Sequence, residues 1–163
     1  MKRWFILKGF HISTFIPRLF WFNGKLEQTY LISFNDSCRY SIEERSCVNK
    51  LFGYCFGLFQ VHKNSVRFGW TYDKSVDKIV IWIYVYDNGK LVKKSVFECD
   101  VYNRDYKFSI KTCCNKTVFY IEDEEVYRTN VTIPSKIIPT LGFYFGGNTK
   151  APHNMFINYK KEE

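Results

Sequence analysis

The sequence predicts an all-β fold: a two-sheet antiparallel β-sandwich with an N-terminal extension. Three observations predict it. Aromatic residues make up 20% of the 163 residues while alanine occurs once, at Ala151, and a chain so poor in the best helix former and so rich in strand formers favours sheets. Short β-branched and aromatic runs separated by turn signals recur along almost the whole chain. Several of these runs alternate, one face apolar and the other polar, as a half-buried strand requires. Hydrophobic residues at 46% and charged residues at 25% exclude disorder, collagen-like repeats and long coiled coils, and the length suits one core.

The elements follow in order. Residues 1–24 read as an N-terminal arm and the start of a hairpin, residues 25–163 as the sandwich. The arm is strongly apolar and broken at Pro17, too apolar to leave in water on a soluble monomer. Trp4, Phe5, Ile6, Leu7 and Phe10 are therefore its candidate partner-docking residues, in self-association or against another protein. Arg18 to Phe22, Asn23-Gly24 and Lys25 to Phe34 read as a hairpin, because Asn-Gly accepts the positive φ angles of a tight turn. Ser41 to Lys50 reads as a short helical turn capped by Ser41. Strands are expected at Leu51 to Phe59 and at Ser65 to Tyr72, where Val66, Phe68, Trp70 and Tyr72 share one side and Ser65, Arg67, Gly69 and Thr71 the other. Lys78 to Tyr86, Asp87-Asn88-Gly89 and Lys90 to Asp100 form the strongest hairpin signal. In its first strand Ile79, Ile81, Ile83 and Val85 suit the core, which leaves Val80, Trp82, Tyr84 and Tyr86 on the opposite face. Trp82, Tyr84 and Tyr86 are the candidate ligand-binding residues, as a stacking platform for sugar rings. Tyr106, Phe108 and Ile110 mark the buried face of the next strand. Further strands are expected at Thr117 to Ile121, Leu141 to Phe145 and Met155 to Tyr159, with the acidic run Glu122 to Glu125 as an exposed turn.

Charge and cysteine usage narrow the partners. Lys and Arg number 24 against 16 Asp and Glu, a net +8. No basic cluster exceeds a pair, as at Lys2-Arg3, Lys93-Lys94 and Lys160-Lys161, so nucleic acid is disfavoured as a partner. The apolar start ends at Lys8, far short of a secretory h-region, and no 18 apolar residues run unbroken, so neither export signal nor membrane-spanning helix is expected. The six cysteines have no metal-ligand spacing and read as reduced thiols. His11, His62 and His153 share no metal-pair spacing. No metal and no cofactor is expected. Neither a nucleophile elbow nor a phosphate loop occurs.

Three strings carry a resemblance: Asn49-Lys50-Leu51-Phe52-Gly53, the run from His62 to Trp70, and the run from Tyr144 to His153. In order and spacing they resemble a family of small, largely uncharacterised β-sandwich proteins of gut Bacteroidales bacteria and their tailed (crAss-like) phages. The resemblance spans roughly Tyr30 to Tyr159 and implies a concanavalin-like or jelly-roll sandwich, with no established activity and no catalytic residues. Separately, Gln60-Val61-His62 is similar to the Gln-x-His string of sandwich-fold alginate lyases. There such a pair helps neutralise a uronate and abstract its proton, and Tyr144 would supply the acid. The companion strings of those lyases are missing: no Arg-x-Glu precedes Gln60, and no Tyr-x-Gln follows Tyr144-Phe145-Gly146-Gly147.

The expectation from sequence is thus a non-enzymatic binding or assembly sandwich, a phage virion structural or accessory protein assembled in the bacterial host cytoplasm, with other virion proteins or itself as partner. The alternatives are a carbohydrate-binding module touching a glycan, or an alginate-lyase-like polysaccharide lyase.

Overall fold

A computed structural model describes residues 1–41, 47–58, 60–102 and 104–162. Among the described residues, twelve strands form two antiparallel sheets. In chain order they are β1 (Lys2–Ile6), β2 (Leu19–Trp21), β3 (Lys25–Ser33), β4 (Asn49–Cys55), β5 (Ser65–Asp73), β6 (Lys78–Asp87), β7 (Lys90–Asp100), β8 (Asp105–Cys113), β9 (Lys116–Ile121), β10 (Glu124–Asn130), β11 (Ile137–Leu141) and β12 (Met155–Glu162). Sheet one runs β1-β12-β3-β8-β9-β10, and sheet two runs β2-β11-β4-β5-β6-β7. The predicted all-β sandwich is the fold observed.

The β6–β7 hairpin forms as its sequence dictates. Asp87 pairs with Lys90 across a two-residue turn, in which Asn88 and Gly89 take φ of 48° and 81°, the left-handed geometry that matches strand twist. Ile79, Ile81, Ile83 and Val85 are buried, whereas Trp82, Tyr84 and Tyr86 are half-buried on the outer face. Tyr106, Phe108 and Ile110 of β8 join the buried aliphatic stripe in the core. Phe68 of β5 locks the two sheets edge-on, its ring 5.3 Å from Phe108 and 5.1 Å from Phe119, contacts worth about 1 kcal/mol each beyond area burial.

Four local expectations change. Asn23-Gly24 does not close a hairpin: β2 pairs with β11 in sheet two, while β3 pairs with β8 and β12 in sheet one, so the turn carries the chain between sheets. The acidic run is a turn at Glu122 and Asp123, both with positive φ, but Glu124 already opens β10, an edge strand whose polar composition hid it. The late strand lies at Ile137–Leu141 instead of Leu141 to Phe145, with Pro139 tolerated opposite Leu19 near the sheet edge. Of the segment expected as a helical turn, residues 42–46 lie outside the described residues, and Asn49 and Lys50 belong to β4.

The N-terminal segment is built into the sandwich. β1 pairs with β12 over five residues, and Trp4 and Ile6 sit in the core at 3% and 0% exposure, while Phe5, Leu7 and Phe10 remain exposed. The alternation inside this short strand sends Trp4 and Ile6 inward. Trp4 stacks on Tyr159 at 4.0 Å.

Candidate functional site

The outer face of sheet two carries a cleft of about 490 Å³. Its floor comes from three strands: Lys50 of β4, Arg67 of β5 and Tyr84 of β6. The register explains the grouping, since Arg67 pairs with Gly53 on one side and Tyr84 on the other. Gly53 is required there: a Cβ at that position would lie 2.0 Å from the Val66 carbonyl oxygen and 2.9 Å from Arg67 Cγ. One wall is the segment after β11, and it is held firmly. The Lys50 and Tyr144 backbones exchange hydrogen bonds of 2.8 and 3.0 Å. The Gly146 N–H donates to Asn49 Oδ1 at 2.6 Å, and the same amide donates through Nδ2 to the Tyr40 hydroxyl. His11 stacks on Tyr144, 5.4 Å between ring centres, with Nδ1 2.9 Å from the Phe145 carbonyl. Val61 and His62 form the rim after β4.

The electrostatics of the cleft are one-sided. No carboxylate is among its described lining residues. Arg67 is buried at 7% exposure, and its Nε and Nη2 have no hydrogen-bond partner among the described residues. Its guanidinium lies 5.2 Å from the Tyr84 ring. Burial lowers its proton affinity, partly offset by the surrounding tyrosines, but a guanidinium keeps its charge at neutral pH. Lys50, 8% exposed, donates to the Val48 carbonyl and holds Nζ 3.8 Å over the same Tyr84 ring. Desolvation first, and the Arg67 charge second, bring its ammonium down to about 7. Tyr84 is pushed the other way, to about 12, by burial and by its hydrogen bond with Tyr86. The site thus presents a fixed positive charge, an amine that sheds its proton near neutrality and a hydroxyl that keeps one.

The residues expected to bind a ligand divide. Tyr84 lies in the cleft, Tyr86 meets the His62 ring edge-on at 5.3 Å, and Trp82 lines a neighbouring crevice with its Nε1 donating to Thr71 Oγ1 at 2.8 Å. Lys93 lies 5.1 Å over the Trp82 ring, so the three do not make one flat platform. Gln60-Val61-His62 is a turn and not an extended segment: the Gln60 N–H bonds Gly57, and its carbonyl accepts from Lys63 and Asn64. His62 and Tyr144 still reach the cleft, while Gln60 is not among its lining residues. Sequence reasoning missed Lys50 and Arg67 as a pair. The available signal was Arg67, a cation between Val66 and Phe68 on a strand with apolar neighbours on both sides.

No protein-family model matches the chain, and no curated protein matches its sequence. Solved structures share its fold. Alginate lyase AlyC3 superposes with a TM-score of 0.66 at 12% identity, covering 99% of this chain and 75% of that one. Alginate lyase vAL-1 from Chlorella virus gives 0.62 at 9%, over 98% and 81%. Alginate lyase PA1167 from Pseudomonas aeruginosa gives 0.51 at 9%, over 85% and 62%. At such identities the likeness is one of fold, the jelly-roll sandwich that the family resemblance implied. It does not bear on a Bacteroidales or phage origin, and it lends nothing to a virion role.

The expectation of a non-enzymatic module is corrected here. It rested in part on missing contiguous motifs, whereas solved structures with this sandwich include alginate lyases and the polar groups on the cleft floor come from three separate strands. Absent motifs therefore do not exclude an enzyme.

Proposed function

We propose that the chain is a polysaccharide lyase that cleaves an anionic, uronate-containing polymer of the alginate type by β-elimination in this cleft. The observation that carries the reading is the buried Arg67 guanidinium, whose Nε and Nη2 have no partner among the described residues, in a cleft with no carboxylate among its described lining residues. A buried charge without a partner is costly, and a ligand carboxylate is the partner its geometry suits.

The chemistry follows from the three floor groups. Arg67 pairs with the uronate carboxylate and stabilises the negative charge that grows there when the proton on the adjacent carbon, C5, is removed. Lys50, neutral for a substantial fraction of the time near pH 7, takes that proton on Nζ. Tyr84 retains its hydroxyl proton and delivers it to the glycosidic oxygen leaving C4. The electron pair of the broken C5–H bond becomes the C4–C5 double bond, and the C4–O bond breaks. Base and acid sit on one side, Lys50 Nζ being 3.8 Å from the Tyr84 ring centre, which suits departure of proton and oxygen from one face of the sugar. Tyr144 and His62 stand at the cleft edge to position the neighbouring sugars.

The test is a panel of polyuronates assayed for the absorbance of unsaturated uronate. Product should appear with at least one of them and fall by about 10²-fold or more in Arg67→Ala. No product from any polyuronate, or product unaffected by the substitution, overturns the reading.

A further inference from the structure

A second cavity, of about 670 Å³, opens where β1, β12 and β3 of sheet one meet β2 and β11 of sheet two. Phe15 and Thr140 line both cavities, so the two abut across the Phe15 side chain. The lyase chemistry uses nothing in this second space.

Its lining is unusual in two respects. Lys2, Arg18, Lys160 and Lys161 surround it, no carboxylate is among its described lining residues, and none of the four cations is in an ion pair among the described residues. Glu27 and Glu162, next in sequence to the lining residues Gln28 and Lys161, are engaged elsewhere, with Lys111 and with Lys107. The second feature is Gln28. Its register partner on β8 is Ile110, a core residue, so Gln28 occupies an inward position that an apolar side chain would normally fill. Gln28 is 2% exposed, and its Oε1 has no hydrogen-bond partner among the described residues. An unsatisfied buried amide costs on the order of 1–3 kcal/mol, and folding has no evident use for it there. Beside it stand the rings of Trp4, Tyr30 and Tyr159.

We propose that this cavity is a second, non-catalytic binding site for an anionic sugar. Its carboxylate or sulfate is held by Arg18 and the lysines, a hydroxyl donates to Gln28 Oε1, and the ring lies against the aromatic wall. An unpartnered acceptor calls for a donor on the ligand, which a bare inorganic anion lacks and a sugar supplies. The cations require the same ligand to be charged, and the aromatic surface suits the apolar face of a pyranose. The site stands whether or not the first cleft cleaves a polymer.

The test reads binding without turnover. The full chain carrying Lys50→Ala and Arg67→Ala, which disables the first cleft, is titrated calorimetrically with a uronate oligosaccharide, a sulfated oligosaccharide, a neutral oligosaccharide and inorganic sulfate. Binding of at least one charged oligosaccharide should survive, weaken at least tenfold when Arg18→Ala and Lys161→Ala are added, and exceed that of the neutral sugar and of sulfate. The uronate and sulfated arms identify which acid group is preferred. Absence of residual binding, indifference to the Arg18 and Lys161 changes, or equal binding of the neutral sugar or of sulfate overturns the proposal. As a check free of substitutions, the Gln28 side-chain amide resonances of the unaltered protein should shift on adding the preferred oligosaccharide and stay put with sulfate; unmoved resonances also overturn it.

Discussion

At the scale of single residues, Lys50 and Arg67 place function and stability in opposition. Lys50 has its proton affinity lowered from 10.5 to about 7 by burial beside Arg67. Above pH 7 the unfolded chain therefore holds a proton that the folded chain has lost, and stability rises with pH, by at most about 1.4 kcal/mol per pH unit. The window closes near pH 9, because burial raises both the Cys38 and the Cys99 thiol above their ordinary 9.0, so that above pH 9 two thiols ionise only in the unfolded chain, outweigh Lys50, and stability falls again. Chemical denaturation across pH 7 to 9 should show this rise in the unaltered protein and a weaker one in Lys50→Met. If Lys50 is the base, kcat/KM should also rise through pH 7, and a flat profile would remove it from that role. For Arg67, replacing an uncompensated buried cation by a methionine of similar length should raise Tm by about 2–6 °C while abolishing turnover. A fall in Tm would mean that the guanidinium has a structural partner and is not held open for a ligand.

At the scale of elements, the sequence is informative where one strand decides its own faces. The β6–β7 hairpin was legible because Asn88-Gly89 allows one turn geometry and because four aliphatic residues alternate with aromatic ones. Asn23-Gly24 carries the same dipeptide, yet it links two sheets: a turn fixes local direction, and the partners of β2 and β3 are settled by distant strands. The cleft was less legible for the same reason. Lys50, Arg67 and Tyr84 become neighbours only through the registers of β4, β5 and β6, which no local string encodes, and the one string that resembled a lyase motif, Gln60-Val61-His62, is a turn. The N-terminal strand offers an element-scale prediction. Deleting Met1 to Ile16 removes Trp4 and Ile6 from the core and unpairs the edge of β12, a loss of about 5 kcal/mol or more against a total stability of about 5–15 kcal/mol. The truncated chain should lose cooperative melting by calorimetry. A cooperative transition within a few degrees of the full chain would show that β1 is only an appended arm.

At the scale of the whole molecule, a net charge of +8 looks scattered along the sequence and is gathered by the fold. Two cavities with no carboxylate among their described lining residues flank the Phe15 side chain, one floored by Lys50 and Arg67, the other ringed by Lys2, Arg18, Lys160 and Lys161. Acidic groups are spent elsewhere, as in the Arg39–Asp77 and Lys78–Asp100 pairs at the other end of β6. On the proposed reading, this charge distribution would draw a polyanion toward these cavities. The central claim is that this face breaks a polyuronate by elimination, with Arg67, Lys50 and Tyr84 as its working groups. The most direct measurement is mass spectrometry of the fragments released from a uniform polyuronate by the unaltered protein. The fragments should carry new ends with a C4–C5 double bond, each one water lighter than a hydrolysis product, and Arg67→Met should release none of them. Saturated, hydrated ends, or an intact polymer after prolonged incubation, would contradict it.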